Sequence, residues 1–414
     1  MPAKWKKKYQ PDLILTRINQ SMTYSSTGVS FKGMDYKEHL PVLSSMLEFP
    51  LAAARQNKSA LIWNAIRRTK GGLTSESFLK ALNAELNQAL SQKINKYSLI
   101  TSLSIQRKTL PKRISISGCT FTFHDTSLPR KFSNRRETLS NSNSTIPETP
   151  VNYCFVQVDV TERSPEAAGE KALESLDYLR GLLALHCNYT MEWSFGGGAS
   201  HNPINRIRTG GFHTLHSPDG SAVDGPIWYE PNFRPAKIYA FKHGAEIHKR
   251  LAKESRSINQ CSYGIHLSKA IILYARSLDQ PDHTNAFVKL WSALESLTTP
   301  NLAKYDDLIR RCGFMFTEGD YHRQMLEHLR DFRNRSVHAE SESEGARTNC
   351  YLLQDYFRGA IRFYLSQRKI FSSLDEANAF LDLPADRTKL DRQIQLLRKA
   401  IKFITPLDVD GSEI

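Results

Sequence analysis

The sequence has few cysteines, and none sits where chemistry would need it. Six are scattered along 414 residues, Cys119, Cys154, Cys187, Cys261, Cys312 and Cys350. No C-x-x-C occurs, and no cysteine pairs with a histidine at metal-ligand spacing, so neither a cysteine zinc site nor a dithiol motif is expected. Reduced thiols of a cytoplasmic protein are the expectation. No apolar run reaches the roughly 18 residues of a membrane span, and the basic start MPAKWKKKYQ is not followed by an apolar segment. Membrane spanning and secretion are therefore not expected. The glycine-rich stretch WSFGGGASHNPINRIRTGG fits neither the dinucleotide fingerprint nor the phosphate loop, and reads as a loop of the sheet region. Helix-turn-helix and zinc-finger patterns are absent, which argues against a DNA-binding regulator. Acidic residues are short as well, 42 Asp and Glu against 56 Lys and Arg, leaving a net charge of +14. That excess attracts polyanions over long range, nucleic acid above all, although a merely soluble basic protein would show it too.

What is present is globular. Apolar residues make up 40% and aromatics 10% of a chain long enough for two cores. Apolar residues at three and four spacing mark helices between Tyr36 and Tyr97, with Phe78, Leu82, Leu86 and Leu90 on one stripe. The period then becomes two, and YSLITSLSI and KRISISGCTFTF are expected to form a hairpin across RKTLPK. Between about residues 125 and 150 the composition turns to Ser, Asn, Thr, Arg and Pro, which reads as a mobile insertion. The strand YCFVQVDV follows, then a helix capped by Ser164 with Pro165 in its first turn. From Cys261 onwards strand signals vanish. Helices are expected in SYGIHLSKAIILYARSL, TNAFVKLWSALESL, YHRQMLEHLRDFRNRS and NCYLLQDYFRGAIRFYLSQR. SLDEANAFL, with Ser373 and Glu376 in capping-box spacing, and TKLDRQIQLLRKAIKFI come after them. The fold class expected is α+β, a mixed domain with a β-sheet over 1–258 followed by an all-α bundle over 259–414.

The densest chemistry lies in HLRDFRNRSVH. Placed on a helix at about 100° per residue from Phe332, Met325, Leu326, Leu329 and Ser336 fall between roughly 20° and 120°, a buried stripe. Asn334, His338 and Arg335 point the other way, at roughly 200°, 240° and 300°. Arg333, at roughly 100°, is directed into the stripe and needs a carboxylate, because a buried unpaired charge is costly. Glu295, one turn after Trp291 on the preceding helix, is the expected partner. One reading of these residues is a packing ion pair beside a solvated helix-end histidine. The other is a phosphate site, with a histidine able to exchange protons near neutrality beside cations that stabilise phosphate charge. His322 and His328, six residues apart on one helix, suit a solvated face better than a metal. His186 and Cys187 read as a helix end. The basic stretches SIQRKTLPKRISI and PRKFSNRR could follow an RNA backbone or lie on solvated loops.

RNRSVH resembles the R-x4-6-H signature of the HEPN superfamily, in which a polar residue, often Asn, follows the Arg. LWSALESL resembles a W-x-x-L-E-x-L run on an earlier helix of many members. An α+β region ahead of such a bundle is similar to the Apea-like group of abortive-infection proteins. The resemblance covers about the last 150 residues. It implies a metal-independent endoribonuclease that needs no cofactor and cuts RNA, tRNA or mRNA, as a cytoplasmic homodimer with a composite site. Arg333, Asn334 and His338 would be catalytic, with Glu295 and Arg335 in support. An anti-phage role with a phage-derived trigger is implied, the first domain sensing, positioning RNA or restraining the nuclease. The alternative is a non-catalytic HEPN module for dimerisation or for RNA or nucleotide binding.

Overall fold

The computed structural model describes residues 2–25, 28–31, 35–69, 72–140, 150, 152–188, 202–224, 227–231, 233–300, 305–336 and 345–404. It has the α+β composition expected, with helices alone from residue 244 onwards among the described residues. Two compact units divide the chain, residues 1–176 with 209–240, and residues 177–208 with 241–414. The division read from the sequence at 258/259 falls at the end of a helix that the second unit holds whole.

The first unit contains strands β1 (Lys4–Trp5), β2 (Met22–Ser25), β3 (Gly28–Phe31), β4 (Leu47–Glu48), β5 (Asn95–Leu103), β6 (Arg113–Ile116), β7 (Cys119–Phe123), β8 (Cys154–Glu162), β9 (Phe212–His216) and β10 (Trp228–Tyr229). Its helices are α1 (Pro11–Gln20), α2 (Asp35–Met46), α3 (Lys58–Arg68), α4 (Ser75–Ser91), α5 (Arg135–Ser140) and the first part of α6 (Pro165–Cys187). The amphipathic helices α1, α3 and α4 close on a core of Leu15, Ile18, Ile62, Ile66, Phe78 and Leu82. The stripe of α4 runs as its spacing requires, and Thr74 caps it by accepting from Ser77 N.

Six strands form an antiparallel sheet in the order β10-β9-β5-β8-β7-β6. The expected hairpin between 97–105 and 112–123 does not form, because β5 pairs with β8 and β9 instead. The hairpin is β6–β7, inside the second of those segments. Its two-residue turn is Ser117-Gly118, with φ of 53° and 72°, the doubly left-handed turn whose twist suits adjoining antiparallel strands. Along β5 every residue from Tyr97 to Leu103 is buried, which belongs to a central strand rather than to a solvated hairpin arm.

One sheet face receives α6. The Cys119 thiol lies 3.3 Å from Ser175 Oγ, and the Trp228 ring lies against the backbone of Gly169, where a Cβ would meet it at 2.1 Å. The other face is partly covered by the segment expected to be a mobile insertion. There α5 follows a short 3₁₀ turn, Arg130–Phe132, and Phe132, Arg135 and Leu139 are buried. Residues 141–149 of that expectation lie outside the described residues.

From Asp177 α6 belongs to the second unit, with α7 (Gly244–Asn259), α8 (Gly264–Leu278), α9 (His283–Thr298), α10 (Tyr305–Phe314), α11 (Gly319–Ser336), α12 (Ala346–Ser366), α13 (Leu374–Leu381) and α14 (Arg387–Ile404). Helices α8, α9 and α12 form its centre, where Tyr274 stacks on Phe357 at 4.6 Å between ring centroids. Ser373 caps α13 by accepting from Glu376 N, while the Glu376 carboxylate turns back to Ser372 N, so half of the expected box forms. All six cysteines are free and buried, and burial pushes the thiols of Cys154, Cys187 and Cys312 up to about 12. No helix among the described residues is long and apolar enough to cross a membrane.

Candidate functional site

Helix α11 presents the candidate residues at its C-terminal end. Its buried residues Leu326, Leu329, Phe332 and Ser336 follow the three and four spacing of one face. Phe332 meets Phe287 of α9 edge to face at 4.9 Å, which fixes the end of α11 against α9. Asn334 and Arg335 are exposed, on the side opposite the stripe as their angles require, and Arg333 is half-buried. Two cations, Arg333 and Arg335, occupy the last turn, where the helix dipole favours positive charge. His338 lies outside the described residues.

Glu295 stands on α9, half-buried, and accepts a hydrogen bond from Trp291 Nε1 at 2.8 Å. The indole is fully buried, so this carboxylate is anchored in the core of the second unit rather than free to rotate into solvent. Burial raises the Glu295 pKa above the ordinary glutamate value. The Trp291 N–H and, after it, the charge of Arg333 pull it back down. The charge of Arg333 thus acts on Glu295, after burial and the Trp291 N–H. Arg333 Nη1 also approaches Asn334 Oδ1 at 3.4 Å, a weak contact at the helix end. The last turn of α11 thus sets Arg333 beside Asn334, with the exposed Arg335 in the same turn, and the charge of Arg333 acts on Glu295 of α9. A half-buried guanidinium, with an amide and a second guanidinium exposed beside it, is a donor set for an oxyanion.

His322, expected on a solvated face, is half-buried instead. It packs at 4.3 Å on the Phe316 ring, and its Nδ1 lies 3.1 Å from the Tyr356 hydroxyl. His328 is exposed. His186 ends α6 as expected, and its Nε2 reaches Glu254 at 3.0 Å. Among the described residues no group of three or more His, Cys, Asp or Glu is placed to hold a metal ion.

Three features escaped the sequence. The first is a charged knot in the second unit, where the Arg180 side chain is 1% exposed and bonds Asp177 at 2.6 Å and both oxygens of Asp279 at 2.5 and 2.6 Å. Arg276 adds a second bond to Asp177 at 2.7 Å, and Arg208 Nη1 donates to the Asp279 carbonyl at 2.8 Å. Burial pushes the Asp177 carboxyl up against the pull of Arg180 and Arg276. Its donors are spent on internal acceptors, so the knot reads as structure. The second is a hollow of about 440 Å³ in the same unit, edged by His186, His243, Arg250, Arg358 and Arg362. The third is a hollow of about 520 Å³ in the first unit, edged by Arg107, Lys108, Lys112 and His124. Only the third had a signal in the sequence, the basic stretch SIQRKTLPKRISI. Its Arg107 is partly committed, donating to the carbonyls of Phe123 and Leu110 at 2.8 and 3.0 Å.

Compared with known proteins, the chain matches no family model, no curated protein and no solved structure.

Proposed function

We propose that this chain is an endoribonuclease of the HEPN type, cutting RNA by attack of its own 2′-hydroxyl without a metal ion. The observation that carries the reading is the electrostatic coupling of Glu295 and Arg333, the carboxylate held by buried Trp291, beside exposed Asn334 and Arg335. Glu295 and Arg333 stand 38 positions apart in the sequence, on α9 and α11, and the charge of one acts on the other.

RNA supplies the nucleophile. The 2′-hydroxyl loses its proton to a base as its oxygen bonds to phosphorus. The bond from phosphorus to the 5′ oxygen breaks, and that oxygen takes a proton. His338 is assigned the proton transfer, Arg333 the charge on the phosphate oxygens, and Asn334 the orientation of phosphate or imidazole. Arg335 assists on the backbone, and Glu295 keeps Arg333 in place. Two subunits would present their motifs to one strand of tRNA or mRNA, in the cytoplasm. Abortive infection is the biological setting proposed, with the first unit holding the nuclease silent until a phage-derived trigger arrives.

The test is to incubate the purified chain with RNA in EDTA and sequence the ends. The reading expects 2′,3′-cyclic phosphate and 5′-hydroxyl termini, and a loss of about 100-fold or more in rate for Arg333→Ala and for His338→Ala. Cleavage that EDTA abolishes, or that survives in both variants, removes it.

A further inference from the structure

Helices α6, α7 and α12 of the second unit line a hollow of about 440 Å³. Arg358 and Arg362 reach it from consecutive turns of α12, and Arg250 reaches it from α7. Like charges four residues apart on one helix repel, and a third guanidinium from a distant part of the chain adds to the repulsion. Neighbours do little to relieve it. Arg358 bonds the exposed Asp355 through Nη2, one turn back on its own helix. Among the described residues Arg250 and Arg362 have no ion pair and no hydrogen bond. Glu246 stands four residues before Arg250, the spacing of a helix ion pair, and does not form one.

Charge, shape and size together describe an occupant. Three guanidiniums against one lining carboxylate, Glu246, leave two positive charges, the complement of a phosphomonoester dianion. One guanidinium fork already satisfies the two oxygens of a carboxylate ligand, whereas forks from two helices suit a tetrahedral group with three free oxygens. The hollow is also far larger than a phosphate group alone and has the size of a small-molecule site. Half-buried Leu185 and Ile247 give it an apolar wall, and the Glu246 carboxylate, free of partners among the described residues, can accept from hydroxyl groups. No Phe, Tyr or Trp lines it, so a nucleobase finds no aromatic ring to stack on.

We infer that this hollow binds a small phosphomonoester with a hydroxylated body, a sugar phosphate in chemical class. Arg250, Arg358 and Arg362 hold the phosphate, and Glu246 holds the hydroxyls. None of the lining residues belongs to α9 or α11, and the inference does not rest on the nuclease reading, since it is read out as bound ligand and not as cleaved RNA.

The experiment is isothermal titration calorimetry of the full chain with ribose 5-phosphate at fixed ionic strength. Saturable binding at one site is expected. Arg250→Gln and Arg362→Gln should each weaken it by about tenfold or more. Both side chains are exposed and bond nothing else described, so the variants keep the fold. Arg398→Gln, the same loss of charge at an exposed position of α14, should leave the affinity unchanged. Inorganic phosphate should bind about tenfold more weakly, because it leaves Glu246 and the apolar wall unused, and adenosine 5′-monophosphate should bind no more tightly than ribose 5-phosphate. Absence of saturable binding, or binding that both arginine variants keep, overturns the inference. So does an equal loss in Arg398→Gln, which would report net charge alone, or inorganic phosphate bound as tightly, which would report an adventitious ion only. A tighter adenosine 5′-monophosphate overturns the ligand class. A 2′-O-methyl RNA oligomer that binds through Arg250 and Arg362 where ribose 5-phosphate does not would give the hollow to an RNA backbone instead.

Discussion

The Trp291 indole donates to Glu295 Oε1 at 2.8 Å, one turn along the same helix. This bond decides what the carboxylate can do. It fixes one oxygen against the core of the second unit and leaves the group within reach of the Arg333 charge on α11. If Glu295 orients Arg333, Glu295→Gln should keep the indole bond and the fold, and slow RNA cleavage by about tenfold, mainly in kcat. Glu295→Ala, which strands the buried N–H, should in addition cost about 1–3 kcal/mol of stability. Urea unfolding beside initial cleavage rates separates the two effects, and an equal rate for Glu295→Gln and wild type contradicts the orienting role.

The same carboxylate has a pH signature of known sign. Its pKa in the folded chain is raised above 4.5, with burial the first cause. The stability it contributes is fully present below the unfolded value and is lost as pH rises through the folded pKa. The difference in unfolding free energy, wild type minus Glu295→Gln, should fall with pH from about 4.5 upward. Urea titrations at matched ionic strength between acid and neutral pH measure it, and a rise with pH refutes the assignment.

Asp382 has the opposite sign. It accepts from Arg311 Nε and Nη2, both at 2.7 Å, and from Arg310 Nη2 at 2.6 Å, fastening the end of α13 to α10. The hydrogen bond from Arg311 is the first cause of a pKa lowered from 3.8. Its contribution is present above the unfolded value and lost as pH falls through the folded pKa. Because the Asp382 side chain is 32% exposed, solvent screens the pair, and Asp382→Asn should cost about 1 kcal/mol at neutral pH and nothing well below pH 3. A cost that persists in acid would mean that Asp382 acts by packing.

The stripe Leu326, Leu329, Phe332 and the half-buried place of Arg333 beside it were legible because both follow from one angle per residue. The hairpin was not. Alternation places β5 as a strand but carries no information on its neighbours, and pairing with β8 over nine residues outweighs a short connection to β6. The segment 130–140 misled for another reason. Its average composition is polar, while three residues, Phe132, Arg135 and Leu139, do the anchoring, and the Arg135 guanidinium lies 5.6 Å from the centre of the Phe155 ring. Helix α10 was passed over because charges crowd its exposed side, although Leu308, Ile309 and Cys312 are buried along the other. The charged knot joins residues 177, 208 and 279, a separation in sequence that no local pattern reports.

Gly181 sets how closely α6 can approach α8. A Cβ there would lie 2.5 Å from the backbone oxygen of Ile271, and backbone cannot turn aside as a side-chain tip can. Gly181→Ala should therefore destabilise by about 1–3 kcal/mol despite the better helix propensity of alanine. Gly118, with φ of +72° and nothing within 4 Å of a built Cβ, is the control for strain without crowding. Gly118→Ala should cost about 1 kcal/mol through the left-handed turn alone. Thermal melts of the two variants rank the effects, and a Gly181→Ala chain as stable as wild type would show that the helices can separate.

Arg180 offers the largest stability effect, and its size separates structure from function in the second unit. The guanidinium is 1% exposed and joins two carboxylates from α6 and from the end of α8 with the Ile207 carbonyl at 2.9 Å. Removing it leaves Asp177 with Arg276 and Asp279 with Arg208 at 3.7 Å and the Asn205 amide at 3.0 Å, so two half-buried carboxylates are left under-compensated. Arg180→Ala should cost about 3–5 kcal/mol, the range for breaking a buried ion pair from one side. Arg180→Lys should recover little of it, since one ammonium cannot span both carboxylates and the carbonyl in a single plane. If the knot is structural, cleavage by whatever fraction remains folded should keep the wild-type kcat in a single-turnover assay corrected for folded protein. A loss of kcat beyond the unfolded fraction would place Arg180 in the chemistry and move the candidate site from the end of α11 to the junction of α6 and α8.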